Sequence, residues 1–486
     1  MDEARGGVVN AVQKISGASV ARFGAGIRGE RLGPWFLPVL AALLLFTSCV
    51  RLPDQRRSKA PPEGVNTPTM ISGKGPLSDP QAVSVLARRL GPSRVHASQL
   101  ASLEEAATGQ PLIVGNKVTL LFDGPRTIAA MMAAVASAKD TINLETYLFD
   151  QDPLGIAFAD LLIARQKEGI QVCIIYDCIG TLGTPQAFFD RMQAAGIRLL
   201  PFHPVSPFHR RGRWRINNRD HRKILVVDGR VAFTGGVNIT AAYSRSSLFR
   251  SKAKVPTAPG WRDTHLQIEG PAVASLQWLF LDTWARQQED ALPDRDYFPT
   301  LSSMGNKVLR VVGSRPGGNF QIYKAYSVAI GGARKSIHIA AAYFVPDPQT
   351  LQALLDAAGR GVDVKLVLPS VSDSGAVFHA GHSNYTRMLK GGIRIFELKT
   401  SVMHAKTAVI DGTWSTVGST NLDMRSFIHN LEINVIVLGD DFGTEMESAF
   451  QEDLRGSEEI RLERWQQRPA GPRIKEWFSR LISYWL

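Results

Sequence analysis

The chain has 486 residues, of which 44% are hydrophobic, so it is long enough for two to four domains and can bury a sizeable core. Its formal net charge of +12 points to an anionic partner and leaves nucleic acid, acidic lipid and a membrane surface open. Its three cysteines exclude a disulfide framework and a cysteine zinc site.

The N-terminal region, residues 1–50, combines basic residues with an apolar run. The run covers residues 35–50 and follows Arg22, Arg28 and Arg31. It is shorter than the roughly 20 residues of a membrane span but has the length of a signal sequence. It ends in a variant lipobox, with Phe46 where leucine is usual and Cys49 as the residue that lipid would modify. A lipoprotein signal and a retained anchor therefore both stay open, and both place this end at a membrane.

The rest of the chain divides into a lead-in, two halves and a tail. Residues 51–110 are predicted as linker and lead-in; up to about residue 80 they are rich in Pro, Ser, Gly and charge, which is typical of a tether. Two α/β halves and a basic amphipathic tail are predicted to follow, at residues 111–300, 301–456 and 457–486.

The two halves repeat one order of predicted strands and helices. In the first half, the strands are predicted at residues 141–149, 170–177 and 196–202, with a helix at 155–169. In the second half, they are predicted at residues 336–345, 362–369 and 391–398, with a helix at 349–361. This alternation predicts an α/β fold with a largely parallel sheet, and strands this apolar predict helices on both of its faces.

The C-terminal tail has apolar residues at helical spacing, interleaved with basic ones. The apolar positions are Ile474, Trp477, Phe478, Leu481, Ile482 and Trp485. This pattern is typical of an amphipathic helix that lies in a membrane interface. A helix docked on the protein's own core fits the pattern as well.

Both halves contain the spacing His-x-Lys-x4-Asp-x6-Gly-x2-Asn. The two copies are His221, Lys223, Asp228, Gly235 and Asn238, and then His404, Lys406, Asp411, Gly418 and Asn421. Residues i and i+2 of a strand project to one face, so each histidine is predicted to lie beside its lysine. An imidazole beside a cation suits an anionic, tetrahedral substrate such as a phosphodiester. A single copy fits a solvated strand edge equally well, but a five-position repeat indicates a functional site.

This repeated motif resembles the HKD signature of the phospholipase D superfamily. The flanking text is similar to that of bacterial cardiolipin synthases: NRDHRKILVVDGRVAFTGGVNI, MHAKTAVIDGTWSTVGSTNLDMRSF, WRDTH at 261–265 and YFVPD at 343–347. The resemblance runs from about residue 117 to about residue 462. It implies two homologous phospholipase D-like α/β/α sandwich halves, related by pseudo-twofold symmetry, with one active site at their interface. It also implies a bacterial inner-membrane location, with the anchor near residues 35–50.

The duplicated motif predicts phosphoryl-group transfer in two steps. One histidine attacks phosphorus, and the other, protonated, gives its proton to the leaving oxygen. Lys223 and Lys406 are predicted to stabilise charge on the nonbridging oxygens, with Asn238 and Asn421 as further donors. The resemblance implies that His221 attacks and that His404 is the acid and then the base. The sequence predicts neither a metal nor another cofactor.

A nucleophilic histidine needs an acceptor on its second ring nitrogen. Asp263 and Glu432 are the candidate acceptors, and the resemblance implies an acid after each motif. Asp228 and Asp411 belong to the catalytic motif, but each precedes a glycine, which predicts a structural role in a hairpin turn. Ser419 is predicted either to add a hydroxyl donor or to form a tight turn.

A basic segment leads into the first motif. Residues 210–223 contain seven Arg or Lys and one acid. This composition fits either a collector of anionic headgroups at the mouth of the site or a solvated basic loop, and nucleic acid would also suit it.

Several functions fit these residues. The leading prediction is a phosphatidyltransferase that makes cardiolipin from phosphatidylglycerol, with anionic phospholipid and the membrane as partners. The first alternative is a phospholipase D that admits water and makes phosphatidic acid. A nuclease of the same superfamily is disfavoured by the membrane-directed N-terminus, and a catalytically inactive scaffold by two intact motifs. The sequence predicts no nucleic-acid partner and leaves open the oligomeric state and the second lipid substrate, which phosphatidylethanolamine also fits.

Overall fold

A computed structural model describes the protein at residues 52–54, 67–90, 94–204, 217–243, 260–287, 290–372 and 374–484. The chain divides into two compact units, Met1–Arg51 and Leu52–Leu486. The apolar run at 35–50 and Cys49 lie outside the described residues, as do residues 210–216 of the basic segment that leads into the first motif. Among the helices that are described, none has the length and apolar character needed to cross a bilayer.

The lead-in is built into the second unit. It consists of β1 (Met70–Ser72), β2 (Gly75–Pro76), α1 (Asp79–Leu90) and α2 (Arg94–Thr108). The segment predicted as a tether therefore has regular structure from Met70 onward. The reason is that β1 pairs in parallel with the first strand of the following half, while Glu104 of α2 forms a buried ion pair with Arg310.

The first half forms a mixed sheet with helices on its faces. Its strands are β3 (Leu112–Leu121), β4 (Thr141–Thr146), β5 (Gln171–Asp177), β6 (Arg198–Phe202), β7 (Arg219–Asp220), β8 (Ile224–Val227), β9 (Val231–Gly235), β10 (Trp261–Arg262) and β11 (His265–Glu269). Its helices are α3 (Gly124–Ser137), α4 (Pro153–Lys167), α5 (Gln186–Ala194) and α6 (Val273–Gln287), with a 3₁₀ turn at Ala241–Tyr243. The strand order in the sheet is β6-β5-β4-β8-β9-β11-β3.

The second half repeats this architecture. Its strands are β12 (Lys307–Ser314), β13 (Ser336–Ala341), β14 (Asp363–Pro369), β15 (Arg394–Leu398), β16 (Val402–Met403), β17 (Lys406–Ile410), β18 (Trp414–Gly418) and β19 (Asn430–Leu438). Its helices are α7 (Gln321–Gly332), α8 (Pro348–Gly359), α9 (Gly375–His382), α10 (Tyr385–Lys390), α11 (Met424–Ile428) and α12 (Asp440–Arg455). The order β15-β14-β13-β17-β18-β19-β12 matches that of the first half strand for strand, which confirms the predicted fold class.

The sheet is mixed, so the prediction of a largely parallel sheet is wrong. Among the described strands that belong to one half, parallel pairing is confined to the three at its outer end, namely β4 to β6 and β13 to β15. Each motif strand enters the sheet antiparallel to its neighbour and returns through a tight hairpin, β8 to β9 and β17 to β18. A tight hairpin joins antiparallel strands, whereas a helical crossover is needed between parallel ones.

Equivalent strands join the two halves. β3 pairs antiparallel with β12, β7 pairs with the start of β19, and β10 pairs with β16. Beneath these pairings lies one apolar cluster that takes Ile224 and Leu266 from the first half and Val409 and Ile433 from the second. Burial of that shared core is what fixes the halves against each other, since apolar burial is the dominant stabilising term in such packing.

Aspartate caps start the helix after the first parallel strand of each half. Asp152 accepts a hydrogen bond from the Gly155 amide at 2.9 Å, and Asp347 accepts one from the Gln349 amide at 2.9 Å. A proline follows each cap, where its fixed φ suits the first helical turn and its missing N–H costs nothing. In the first half, the cap at Asp152 ends the connection that carries Tyr147, whose ring lies against His221.

The tail continues as β20 (Ser457–Ile460), α13 (Leu462–Gln466) and α14 (Ala470–Leu481). α14 packs on α9 of the second half. It does so through its polar side: Glu476 is buried, whereas Trp477 and Phe478 are exposed. The prediction of a helix is confirmed. The helix is docked on the protein, as the alternative expected, but through its polar side, and its large apolar residues are exposed.

Candidate active site

The first histidine lies at the junction of the halves. His221 follows β7, and its backbone N–H donates to the Leu431 carbonyl at 2.9 Å. Its ring nitrogen Nδ1 is 3.1 Å from each carboxylate oxygen of Glu432. The Tyr147 ring meets the imidazole edge-on at 5.1 Å. The histidine is therefore held by the second half and by the loop after β4.

The second histidine is held in the equivalent way. The His404 backbone N–H donates to the Arg262 carbonyl at 2.8 Å, and Nδ1 lies 2.6 Å from Asp263 Oδ2. The Tyr243 hydroxyl lies 2.8 Å from the same nitrogen, and the Trp261 ring packs against the imidazole at 4.6 Å. Both histidines thus precede the motif strands, at their N-terminal ends.

Each carboxylate serves the histidine of the other half. Glu432 is 211 residues from His221, and Asp263 is 141 residues from His404. Both carboxylates are fully buried. A carboxylate on Nδ1 fixes the orientation of the ring and stabilises its protonated form, which leaves Nε2 for chemistry. Because each histidine is held by a carboxylate of the other half, the site forms only where the two halves pack together.

The two lysines bring positive charge into this junction. Lys223 Nζ donates to the His221 carbonyl at 2.6 Å and lies 5.4 Å from the centre of the Tyr147 ring. Lys406 Nζ lies 3.0 Å from His404 Nδ1 and contacts the His404 carbonyl. Burial and the charge of Lys406 lower the pKa of Lys223 to about 7, against the effect of Glu432. An anion that binds between the two lysines relieves this repulsion.

Both histidines have lowered pKa values. Burial lowers the pKa of His221, with Lys223 and Lys406 adding to the shift while Glu432 opposes it. Burial and the charge of Lys406 lower the pKa of His404 to about 4, against the effect of Asp263. Both rings are therefore neutral at neutral pH before substrate binds. The negative charge of a bound phosphodiester favours protonation, so one ring can become an acid in the complex.

The two carboxylates are supported differently. Ser419 donates its hydroxyl to Glu432 Oε2 and accepts from the Ile433 amide at 3.0 Å, and Asn430 donates to Glu432 Oε1 at 3.1 Å. Asp263 instead accepts from the Tyr243 hydroxyl at 3.2 Å, next to Gly236, where a Cβ would come within 2.0 Å of the carboxylate. Ser419 thus lies in the site as a partner of the acid.

The two motif asparagines occupy different environments. Asn238 accepts from the Leu148 amide through Oδ1 at 3.2 Å and contacts the Tyr243 side chain. Asn421 is buried, and its Oδ1 has no hydrogen-bond partner in the part of the chain that is described. Phosphate binding by these amides stays a prediction.

The motif aspartates close the other ends of the motif strands. Asp228 accepts from the backbone amides of residues 139, 140 and 141 at 2.8 to 3.0 Å, and Asp411 accepts from those of residues 334, 335 and 336. Both adopt φ of 53°, in the left-handed region that aspartate tolerates in turns. The whole length of β8 or β17 separates them from the histidines.

We expect Asp411→Ala to lower the free energy of unfolding by about 2–4 kcal/mol, because it leaves three backbone amides without their charged acceptor. Activity per folded molecule should stay within about twofold, since the site lies at the other end of β17. Chemical denaturation measures the first quantity, and Asp411→Asn, which keeps one acceptor oxygen, should lose less. A large loss of activity at unchanged stability would place Asp411 in the chemistry instead.

Part of the predicted basic segment is structural. Arg219 lies 3.6 Å from Asp177, and Arg222 donates to the Glu432 carbonyl at 3.1 Å and to the Ser314 carbonyl at 3.0 Å. Both arginines are almost fully buried. For Arg219 and Arg222, both predictions, binding of anionic headgroups and a solvated loop, are wrong, because ion pairs and carbonyl acceptors hold the two side chains inside the protein.

Four further residues contact the histidines or their acids and are not among the site residues predicted from the sequence: Tyr243, Tyr147, Trp261 and Asn430. Trp261 and Asn430 each precede one of the predicted acids by two residues in the sequence, so their positions could have indicated that they lie near the site. Tyr243 follows the first motif with no characteristic spacing. Within the described ranges, no group of three His, Cys, Asp or Glu side chains is arranged to hold a metal ion.

The chain is similar to known proteins across both halves. A family model described as "Cardiolipin synthase, PLD-like domain" matches residues 131–248 and 326–454. The chain is 34% identical over 396 residues to the cardiolipin synthase of Geobacillus kaustophilus, covering 81% of this chain and 77% of that protein. It is 35% identical over 387 residues to cardiolipin synthase 1 of Bacillus cereus, covering 77% and 74%.

The fold also matches a solved structure. The phosphatidylserine synthase of Haemophilus influenzae superposes with a TM-score of 0.58 at 12% identity, covering 79% of this chain and 99% of that one. At this identity the match concerns the fold alone, and it supports the architecture of two related halves.

Proposed function

Because the chain belongs to the cardiolipin synthase family of phospholipase D-like enzymes, we propose that it transfers a phosphatidyl group from one phosphatidylglycerol to another, giving cardiolipin and glycerol. The observation that carries the proposal is the crossed arrangement of two histidines, each on a buried carboxylate of the other half, beside two buried lysines. It supplies the parts that two successive displacements at one phosphorus need.

In the first step, His221 Nε2 attacks phosphorus and the bond from phosphorus to the glycerol oxygen breaks. His404, protonated in the complex, gives its proton to that oxygen, and glycerol leaves. Lys223 and Lys406 stabilise the negative charge on the nonbridging oxygens as the phosphorus centre becomes five-coordinate. The product is a phosphatidyl group bonded to His221.

In the second step, a hydroxyl of another phosphatidylglycerol attacks the same phosphorus. His404, now neutral, removes the hydroxyl proton, and the bond between phosphorus and His221 breaks. Glu432 and Asp263 hold the rings in position through both steps. The proton that leaves with glycerol is replaced by the proton that His404 takes from the acceptor hydroxyl, so the cycle ends with both histidines restored.

Synthesis requires the lipid hydroxyl to outcompete water at the intermediate. Water would give phosphatidic acid, the product of a phospholipase D, from the same residues. A site that opens onto a lipid surface lowers the local access of water and raises that of the acceptor lipid. We therefore propose that the enzyme works at the bacterial inner membrane, with the region of residues 35–50 as its anchor.

Purified enzyme should convert phosphatidylglycerol with a radiolabelled headgroup glycerol into labelled cardiolipin and free glycerol in equal amounts. Thin-layer chromatography of the lipid phase and glycerol analysis of the aqueous phase measure both products. Phosphatidic acid and glycerol without cardiolipin would mean that water is the acceptor. Addition of phosphatidylethanolamine to the vesicles tests the alternative second substrate.

A further inference from the structure

The outer face of α14 is an apolar stripe in contact with solvent. Five large apolar side chains of this helix and its end are between 45% and 64% exposed: Ile474, Trp477, Phe478, Leu481 and Ile482. Their spacing of three and four residues places them on one side of the helix. Single exposed apolar residues are ordinary on a protein surface, whereas a contiguous group of them indicates an interaction surface.

The opposite side of α14 already has its partner. Glu476 is buried and forms an ion pair with Arg468 at 2.6 Å, and the Arg468 guanidinium stacks on the Trp465 ring. This side rests on α9, which follows β14 in the second half. The helix is therefore fixed in an orientation that points the apolar stripe away from the protein.

Basic side chains border the apolar stripe. At 100° per residue, Arg473 and Arg480 lie along one edge of the stripe and Lys475 lies along the other. All three are exposed. An apolar stripe between two basic edges matches the interface of an anionic bilayer, where acyl chains lie beneath phosphate groups.

The end of this helix lies on the catalytic side of the molecule. Tyr484, three residues beyond α14, meets the His429 ring edge-on at 6.0 Å. The next residue, Asn430, donates to Glu432, the carboxylate that holds His221. Only a short chain of contacts therefore separates the helix end from the reacting histidine.

The loops next to the site expose further apolar residues. Leu182, after β5, and Val371, after β14, occupy related places in the two halves and are 73% and 52% exposed. β5 runs parallel to β4, whose C-terminal end carries Tyr147 against His221. These side chains thus lie at the strand ends that border the site.

We propose that the outer face of α14 seats the enzyme on an anionic phospholipid bilayer, on the side of the molecule where the active site opens. The role rests on the phospholipid substrate of the proposed function and gives that substrate a route that avoids water. The apolar stripe enters the acyl region, and the basic edges meet the headgroups.

Brominated phospholipid vesicles test this contact, because bromine quenches only those tryptophans that enter the acyl region. In the full-length protein, Trp477→Phe should lower the quenched fraction of the emission. Trp278→Phe, on α6, is the matched control, since Trp278 is 61% exposed and Trp477 58%. Its loss should not lower the quenched fraction. Equal behaviour of the two variants would overturn the proposal.

A second variant separates docking from chemistry. Trp477→Ser/Phe478→Ser/Leu481→Ser should lower the rate on phosphatidylglycerol vesicles by at least about tenfold, the contribution of burying a single large apolar side chain. The rate on a water-soluble phosphodiester should stay within about twofold, since the site itself is intact. Quenching of Trp477 in a wild-type protein that makes no cardiolipin would refute the proposed function and leave the docking surface standing. Conversion of a dimer to a monomer by the triple substitution, with the vesicle rate unchanged, would assign the stripe to a second copy of the chain.

Discussion

Replacement of His221 by alanine is expected to lower turnover of phosphatidylglycerol by about 10⁴- to 10⁶-fold, the range seen when a covalent nucleophile is removed. The physical reason is that the His221 ring is held by Glu432 and lies close to the charges of both Lys223 and Lys406. The protein should stay folded, because the buried Glu432 carboxylate keeps its hydrogen bonds from Ser419 and Asn430 when the His221 ring is removed. Circular dichroism and thermal melting verify that the variant is folded before activity is compared.

His404→Ala provides the matched control. With a p-nitrophenyl phosphodiester the leaving group needs no proton, so this variant should release one equivalent of p-nitrophenolate in a rapid burst and then stop. His221→Ala should release none. A burst from His221→Ala and none from His404→Ala would exchange the two roles, while full turnover by His221→Ala would refute the covalent mechanism.

The sequence predicts the repeated elements well because their signals are local. Strand periodicity, the caps at Asp152 and Asp347 and the glycines after Asp228 and Asp411 all act within a few residues. The motif spacing is also a local signal, because its residues lie on and next to a single hairpin in each half. The related order of the two halves follows from the same local patterns repeated along the chain.

The sequence does not predict contacts between the halves. Asp263 and Glu432 were both candidates, but which histidine each one holds depends on how β7 pairs with β19 and β10 with β16. Those strand pairs join segments that are far apart in the chain, so the local pattern of apolar and polar residues does not predict them. For the same reason, Arg219 and Arg222 look like surface charge in the sequence, although the structure buries both beneath the first motif.

Each carboxylate holds one histidine, so the two carboxylates support different roles in the reaction. Glu432 is supported by Ser419 and Asn430, whereas Asp263 is supported by Tyr243. Burial alone would raise the pKa of each acid. The histidine paired with it, His221 for Glu432 and His404 for Asp263, opposes burial, and the net effect is a pKa below the ordinary value. Both acids are therefore ionised at neutral pH. Removal of one negative charge should therefore disturb one histidine and leave the other in place.

Glu432→Gln and Asp263→Asn should each lower turnover by about 10²- to 10⁴-fold, as expected when the acid that orients a catalytic histidine becomes an amide. With the p-nitrophenyl substrate the two variants should separate. Glu432→Gln slows the burst itself, because His221 is the attacking ring. Asp263→Asn keeps the burst and slows only the later turnover, because His404 must then act as a base.

The pH profile distinguishes this role from a general loss of structure. Attack requires neutral His221, so the acid limb of the burst rate reflects its pKa, which lies below the ordinary value of about 6.5. Glu432 raises that pKa against the effect of burial, so Glu432→Gln should move the acid limb to lower pH while the maximum rate falls. Asp263→Asn should leave this limb in place, since Asp263 acts on His404. An equal shift in both variants, or a uniform loss at every pH, would show that the carboxylates serve the packing of the junction and not the two histidines separately.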